Sequence, residues 1–501
     1  MSHRLHPTSL REYDIRGIYG ETLAEDDATA IGRTFGTLIR RDGGSLVAVG
    51  RDGRVSSPGL EAALIEGLTD SGVDVVRIGL GPTPMLYYAE AELPVDGGIM
   101  ITGSHNPGNY NGFKMVFRHG AFFGEQIQEL GRIAAAGDWE QGSGSVRDEE
   151  VMERYVERLL AGFDGGPFRI GWDCGNGAAG PVVERLVKRL PGEHFTLFTE
   201  VDGRFPNHHP DPTVESNLED LKRLVREQGL DFGVAFDGDA DRLGAVDGEG
   251  RVVWGDQLLS ILAEPVLRAV PGATIIADVK ASQALFDRVT ELGGKPLMWK
   301  TGHSLIKSKM KETGAPLAGE MSGHIFFRHE WYGFDDAIYA AIRLIRSVAQ
   351  LGGSLTALRS AMPTMINTPE MRFQVDESRK FPVVEEVLAR LASSGADVNR
   401  TDGARVSTAD GWWLLRASNT QDVLVARAEA KDEAGLDRLV AQIDEQLALS
   451  GLERGAQVAH RCPGSTRRRF SSARSGRPWP FTAGSSWAGR RAPCSPSACS
   501  S

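Results

Sequence analysis

Gly98-Ile99-Met100-Ile101-Thr102-Gly103-Ser104-His105-Asn106-Pro107 begins as one kind of structure and ends as another. The apolar run at its start reads as a buried strand. The turn after it leaves the Ser104 hydroxyl at the strand's carboxyl end, where ligands gather in open α/β sheets. Pro107 has no N–H and a fixed φ, so the chain must leave the strand and form a loop. Asn109-Tyr110-Asn111-Gly112-Phe113-Lys114 follows. A serine beside His105 and near Lys114 points to an activated nucleophile or a phosphate carrier. An ordinary polar turn would also read this way.

The alternation continues in both directions. Residues 46–49 read as a strand, 59–70 as a helix with Leu60, Ala63, Leu64 and Leu68 on one face, and 73–78 as a strand. Strand 168–173 precedes helix 182–190, and strand 232–236 runs into a loop. Strand 274–279 leads to helix 283–292, and strand 296–299 to helix 304–313. Strands separated by helices predict parallel βαβ units. From Met371 the pattern becomes a strand, a helix over 383–392, antiparallel-looking strands at 404–408, 412–417 and 423–428, and a helix over 433–449. The predicted fold class is α/β, three tandem mixed α/β domains with βαβ units followed by a smaller α+β lid. The expected boundaries are 1–148, 149–252, 253–366 and 367–455. Residues 456–501, rich in Ser, Arg, Pro and Gly, read as a disordered basic tail. A shifted reading frame at the gene's end would give the same composition.

Composition narrows the function. The 501 residues are 25% charged and contain no apolar run long enough to span a bilayer, so no membrane partner is expected. Met1-Ser2-His3-Arg4-Leu5-His6-Pro7 has no apolar signal core, which predicts a cytoplasmic protein. Cys174 stands apart from Cys462, Cys494 and Cys499 in the tail, which is neither a disulfide framework nor a cysteine metal site. The net charge of −11 is uneven: eight of the 56 basic residues lie in the tail, which has no Asp or Glu. The other 455 residues set 48 basic against 67 acidic side chains. An acidic body argues against nucleic acid and for small-molecule partners.

Three more motifs carry chemistry. In Asp237-Gly238-Asp239-Ala240-Asp241-Arg242, alternate carboxylates after a strand can converge on one hard cation such as Mg²⁺. An EF-hand would need Gly at the sixth position and Glu at the twelfth, where this chain has Arg242 and Gly248. Gly319-Glu320-Met321-Ser322-Gly323-His324 offers a carboxylate and a hydroxyl to the vicinal hydroxyls of a sugar, with glycines that let backbone approach. Shortly before it, Lys300-Thr301-Gly302-His303-Ser304 puts a titratable imidazole at a helix start. Arg416-Ala417-Ser418-Asn419-Thr420 gathers donors suited to a phosphate, although such a loop is also a common capped turn.

In combination and order, these motifs resemble the α-D-phosphohexomutase family, and most closely its bacterial phosphomannomutase/phosphoglucomutase members. Arg11-Glu12-Tyr13-Asp14-Ile15-Arg16-Gly17, Gly50-Arg51-Asp52-Gly53-Arg54 and Gly333-Phe334-Asp335-Asp336 belong to the resemblance, which runs from about Arg11 to Leu447. It implies four domains around one central cleft and transfer of phosphate between O1 and O6 of a hexose. It implies that Ser104 carries the transferable phosphate and that Asp237, Asp239 and Asp241 hold Mg²⁺ with it. Glu320 and Ser322 would bind sugar hydroxyls. Arg416, Ser418, Asn419 and Thr420 would grip the non-reacting phosphate, with Tyr13, Lys280, Gly302, His303 and His324 as further substrate contacts. Arg242 would neutralise charge, and Lys114, Arg16 and His303 are the candidate proton carriers, with His324 behind them. His105 receives a supporting role, because neighbours on an extended chain point to opposite sides. A hexose 1,6-bisphosphate is the implied intermediate and activator, and sugar phosphates the partners of a monomer or dimer.

Substrate preference rests on details. Phosphoglucosamine mutases usually read Gln at Met321 and Ala at Gly103, so mannose and glucose phosphates are favoured. Many relatives have Gln-Pro at Gln421-Asp422, and Asp422 brings a negative charge beside the expected phosphate loop. Other classes fit poorly. A serine hydrolase needs Gly-x-Ser-x-Gly. The Gly294-Lys295 pair is followed by Pro296 and not by a P-loop Ser or Thr. A non-catalytic sugar-phosphate sensor would be expected to lose Ser104 or an Asp, and none is lost.

Overall fold

The computed structural model describes residues 2–419 and 421–453, so Thr420 and the expected tail lie outside the described residues. Gly97–Ile101 is buried along its whole length. It lies parallel to Leu46–Arg51 on one side and antiparallel to Tyr110–Phe117 on the other. A strand covered on both faces needs no polar alternation, which explains its unbroken apolar run. The first sheet continues from Leu46–Arg51 to Asp74–Leu80 and Val146–Asp148, with Ile15–Ile18 beyond Tyr110–Phe117.

The second sheet orders Val252–Val253, Leu243–Asp247, Phe232–Phe236, Phe168–Asp173 and Gly192–Leu197. The third orders Lys295–Trp299, Thr274–Asp278, Leu317–Gly319 and Ile325–Phe327. Their centres are parallel, yet each of the first three sheets takes back an antiparallel strand: Tyr110–Phe117, Leu243–Asp247 and Ile325–Phe327. The connection before each is too short for a crossover helix, so the chain must return antiparallel. Those connections are the serine, triple-aspartate and Glu320 loops. In the fourth, antiparallel sheet Arg416 and Ala417 end the strand Gly411–Ala417, and Ser418 and Asn419 follow it toward Val423–Ala430. All four motifs thus occupy equivalent positions, on hairpin loops at strand ends.

The cores explain how these loops meet. One apolar cluster runs through the first three domains and includes Tyr87, Tyr155, Trp172, Phe236, Phe327 and Ile342. The fourth domain has its own, built on Phe373, Leu391, Trp413, Leu424 and Ile443. It meets the third through a small apolar cluster of Val279, Trp412 and Leu414 and through buried polar contacts: Arg405 Nη1 donates to the carbonyls of Val279 (2.6 Å) and Ala281 (2.8 Å), and Arg427 Nη1 to that of Lys280 (2.6 Å). No helix of the described residues is long and apolar enough to cross a membrane.

Candidate active site

At the end of Gly97–Ile101 the backbone of Ser104 takes a positive φ of 49°. Its N–H donates to Thr102 Oγ1 at 2.8 Å. Its Oγ lies 3.1 Å from Asp237 Oδ2 and 3.1 Å from His105 Nδ1. The expectation that His105 points away fails here, because it assumed an extended chain and Ser104 is left-handed.

The triple-aspartate loop closes on itself through Asp237 Oδ1, which accepts the N–H groups of Asp241 and Arg242, both at 3.1 Å. A Cβ on Gly238 would lie 2.4 Å from the Ser104 carbonyl oxygen, so only glycine lets the two loops approach this closely. Carboxylate oxygens of Asp237, Asp239 and Asp241 all lie within 4.8 Å of one another, in residues that are fully buried. Lys114 Nζ donates to Asp239 Oδ2 (2.7 Å) and Asp241 Oδ2 (2.5 Å), and Thr83 Oγ1 donates to Asp239 Oδ2 (2.5 Å). Burial, then the charges of Asp241 and Asp239, push the Asp237 carboxyl well above the usual range. Burial works against the Lys114 charge, but Asp239 and Asp241 outweigh it and hold that ammonium well above its ordinary pKa. Asp239 Oδ1 and Asp241 Oδ1 are buried with no hydrogen-bond partner. Crowded anionic oxygens, two of them orphaned, fit a hard divalent cation such as Mg²⁺.

Across the cleft, Glu320 Oε1 accepts the Gly302 N–H at 2.6 Å, and Ser322 Oγ lies 3.4 Å from Glu320 Oε2. Tyr13, from the first domain, donates to the Thr301 carbonyl (2.8 Å) and accepts from Asn419 Nδ2 (2.6 Å). One hydroxyl thereby ties three domains together. Arg416 Nε donates to Asp402 Oδ2 at 2.8 Å, and the same oxygen accepts the Thr301 N–H at 3.1 Å. Lys280 Nζ lies 3.3 Å from Glu370 Oε2, and the Lys280 charge, opposed by burial and helped by Arg372, lowers the Glu370 carboxyl to about 2.

Between these halves sits a histidine pair. The rings of His303 and His324 stack with centroids 5.6 Å apart. Arg242 Nε donates to His324 Nε2 at 3.1 Å, which leaves the ring proton on Nδ1, 3.1 Å from Asp335 Oδ2. Lys307 Nζ donates to Asp335 Oδ1 at 3.0 Å. Burial would raise the Asp335 carboxyl, but Lys307 and the two imidazoles hold it well below the usual range. Burial, then the Lys307 charge, holds His303 well below an ordinary imidazole.

The sequence matches the phosphoglucomutase/phosphomannomutase alpha/beta/alpha domains I, II and III over residues 7–141, 153–250 and 254–365, and the C-terminal domain over 370–446. The chain belongs to the phosphoglucomutase/phosphomannomutase family. A phosphomannomutase/phosphoglucomutase of Pseudomonas putida is 48% identical over 431 residues, 86% of this chain and 93% of the relative. Its Pseudomonas aeruginosa counterpart is 45% identical over 443 residues, 88% and 96% of the two chains. A crystal structure of a phosphoglucomutase/phosphomannomutase family protein from Burkholderia thailandensis, 45% identical, superposes with a TM-score of 0.84 over 89% of this chain and 98% of its own.

The phosphoglucomutase/phosphomannomutase fold thus brings the serine, aspartate, Glu320 and Arg416 loops to one cleft. Arg16 is held by Asp14, its Nη2 donating to Asp14 Oδ2 at 2.5 Å. Sequence reasoning missed Thr83, Asp402 and the role of Asp335. Thr83 and Asp402 stand in no motif. Asp335 stood in a quoted motif, Gly333-Phe334-Asp335-Asp336, whose only signal was two adjacent carboxylates.

Proposed function

We propose that this phosphohexomutase interconverts hexose 1-phosphates and hexose 6-phosphates in the cytoplasm, with mannose and glucose phosphates as its preferred substrates. The phosphoryl group passes through Ser104 and a hexose 1,6-bisphosphate. The observation that carries the reading is the 3.1 Å approach of Ser104 Oγ to Asp237 Oδ2, within a buried cluster of three carboxylates. Phosphoryl transfer demands in-line positioning and charge neutralisation more than covalent help. Mg²⁺ held by Asp237, Asp239 and Asp241 would supply part of that neutralisation. Lys114 and Arg242 add fixed positive charge. Glu320 and Ser322 receive sugar hydroxyls, and Arg416, Ser418, Asn419 and Thr420 bind the phosphate that is not reacting, with Tyr13, Lys280, Gly302 and His303 alongside.

In the first half-reaction a sugar hydroxyl oxygen bonds to phosphorus, the Ser104 Oγ–P bond breaks, the hydroxyl proton leaves to a base, and the freed Ser104 Oγ takes up a proton from an acid. His324 is the better acceptor on geometric grounds. Lys114 is locked as an ammonium between two carboxylates. Arg16 is paired with Asp14. The basicity of His303 is depressed. His324 Nδ1 lies 3.1 Å from Asp335 Oδ2, and its Nε2 lone pair, which accepts from Arg242 Nε at 3.1 Å, becomes available for a proton when Arg242 turns to a bound phosphate. In the second half-reaction the bisphosphate, turned end for end, bonds its other phosphorus to Ser104 Oγ as that sugar O–P bond breaks, with the Oγ proton leaving to a base and the sugar oxygen regaining one. A fourth domain with its own core, joined to the third by only a small apolar cluster and a few polar contacts, suits a lid that loosens for that turn. Chelation with EDTA tests the charge-neutralising role: turnover is expected to vanish and to return with added Mg²⁺. Full activity in EDTA would refute the metal assignment.

A further inference from the structure

We infer that Arg54 is a positioning residue that holds Ser104 in its transfer geometry, and that Phe205 of the second domain braces it from behind. The inference rests on the phosphoserine reading above. Arg54 is 1% exposed. Its Nη2 donates to the carbonyls of Ser104 (2.7 Å) and Asn106 (2.6 Å), and its Nη1 to those of Pro107 (2.5 Å) and Tyr110 (2.9 Å). A guanidinium offers its donors in a rigid plane, so one side chain gathers both limbs of the loop at fixed separations. Asp52 completes the grip: one oxygen lies 3.2 Å from Arg54 Nε and accepts the Gly103 N–H at 3.2 Å, and the other accepts the Arg54 N–H at 3.0 Å. A Cβ at Gly103 would lie 2.4 Å from Arg54 Cζ, so the guanidinium packs directly on the loop backbone. Both terminal nitrogens are spent on main-chain carbonyls, so Arg54 acts through Ser104 and not on the phosphate.

The conformation it holds needs holding. A non-glycine residue at positive φ costs roughly 1–3 kcal/mol and persists where its surroundings over-determine it. If Ser104 relaxed to an extended backbone, its Oγ would swing away from Asp237 and His105. The brace comes from the second domain: the Phe205 ring centroid lies 5.2 Å from the Arg54 guanidinium. The neighbouring backbone is close enough that a Cβ on Gly203 would lie 2.4 Å from Arg54 Cα. The serine loop of one domain is thus pinned against the domain that carries the aspartates.

Arg54→Lys and Phe205→Ala, in the full chain, test this beside wild type and Ser104→Ala. Phe205 is half-buried, so its truncation keeps the test open if the Arg54 variant fails to fold. Steady-state kcat and KM with mannose 1-phosphate, the lifetime of phosphorylated Ser104 by intact mass, and thermal midpoints are measured together. A lysine cannot reach four carbonyls at once, so kcat is expected to fall about 10- to 100-fold in Arg54→Lys. It should fall several-fold in Phe205→Ala. In both, KM should stay within about twofold and phosphoserine should hydrolyse faster. Unchanged kcat per folded molecule in both variants would overturn the inference, as would a loss that tracks unfolding alone. If wild type shows no Ser104-dependent turnover, the phosphoserine reading falls and takes the inference with it. A working wild type with unimpaired variants removes only the positioning role.

Discussion

At the scale of single residues, Asp335 is the sharpest test of the proton-transfer assignment. It touches no expected substrate atom, and it meets His324 Nδ1 at 3.1 Å. Asp335→Asn keeps the shape and removes the charge that orients the ring. The expected outcome is a kcat lower by about 100-fold with little change in KM, read in steady-state kinetics. A raised KM with unchanged kcat would return the base to another residue. Ser104 and the three aspartates were legible in the sequence because their chemistry is local: each motif holds its donors within a few positions. Arg54 and Thr83 work on partners 50 and 156 positions away, Ser104 and Asp239, and no spacing rule reaches that far. The His105 expectation failed for a related reason, since the left-handed turn of Ser104 is imposed from outside its own segment.

At the scale of elements, two junctions invite measurement. Asp336 caps the helix Ala337–Gln350, its Oδ1 accepting the Tyr339 N–H at 2.9 Å, and it accepts the Tyr155 hydroxyl at 2.8 Å. Burial outweighs both hydrogen bonds and raises its carboxyl to about 7. The unfolded group ionises near an ordinary Asp value of about 4. Between those values the folded state holds a proton that the unfolded state has lost. Stability should therefore fall as pH rises from about 4 to about 7 and then level off with respect to this group. Thermal melts of Asp336→Asn across that range should lack this component of the slope, and an unchanged slope would contradict the shift. Tyr13 closes the second junction. Tyr13→Phe loses the hydroxyl that joins Thr301 and Asn419, two hydrogen bonds each contributing about 1 kcal/mol. A KM raised roughly fivefold, with more bisphosphate escaping per turnover, is expected if that contact helps to close the lid.

The central strands read from the sequence, Phe168–Asp173 and Phe232–Phe236, stand where periodicity put them. Two helices do not. The helix expected over 182–190 is Gly180–Leu186, and the chain continues through a turn before Pro191. The one expected over 383–392 is Glu377–Ser394, because the Asp376 cap starts it ahead of Pro382.

At the scale of the whole molecule, the change of pattern at Met371 announced a separate last domain, since alternating strands and helices give way to antiparallel runs. The shared core of the first three domains was not legible, because Tyr87, Tyr155 and Phe327 each read as an ordinary apolar residue of its own segment. In the proposed reaction, a three-domain body and a fourth domain with its own core would supply a fixed phosphate carrier and a movable grip. The claim that unites the molecule is that Ser104 carries phosphate between the two ends of a hexose. Purified protein with Mg²⁺ and a trace of glucose 1,6-bisphosphate is incubated with mannose 1-phosphate or glucose 1-phosphate, beside Ser104→Ala. Both sugars should be converted to their 6-phosphates by wild type, with conversion almost abolished in the variant. Equal conversion by the variant, or none by wild type, would contradict the account.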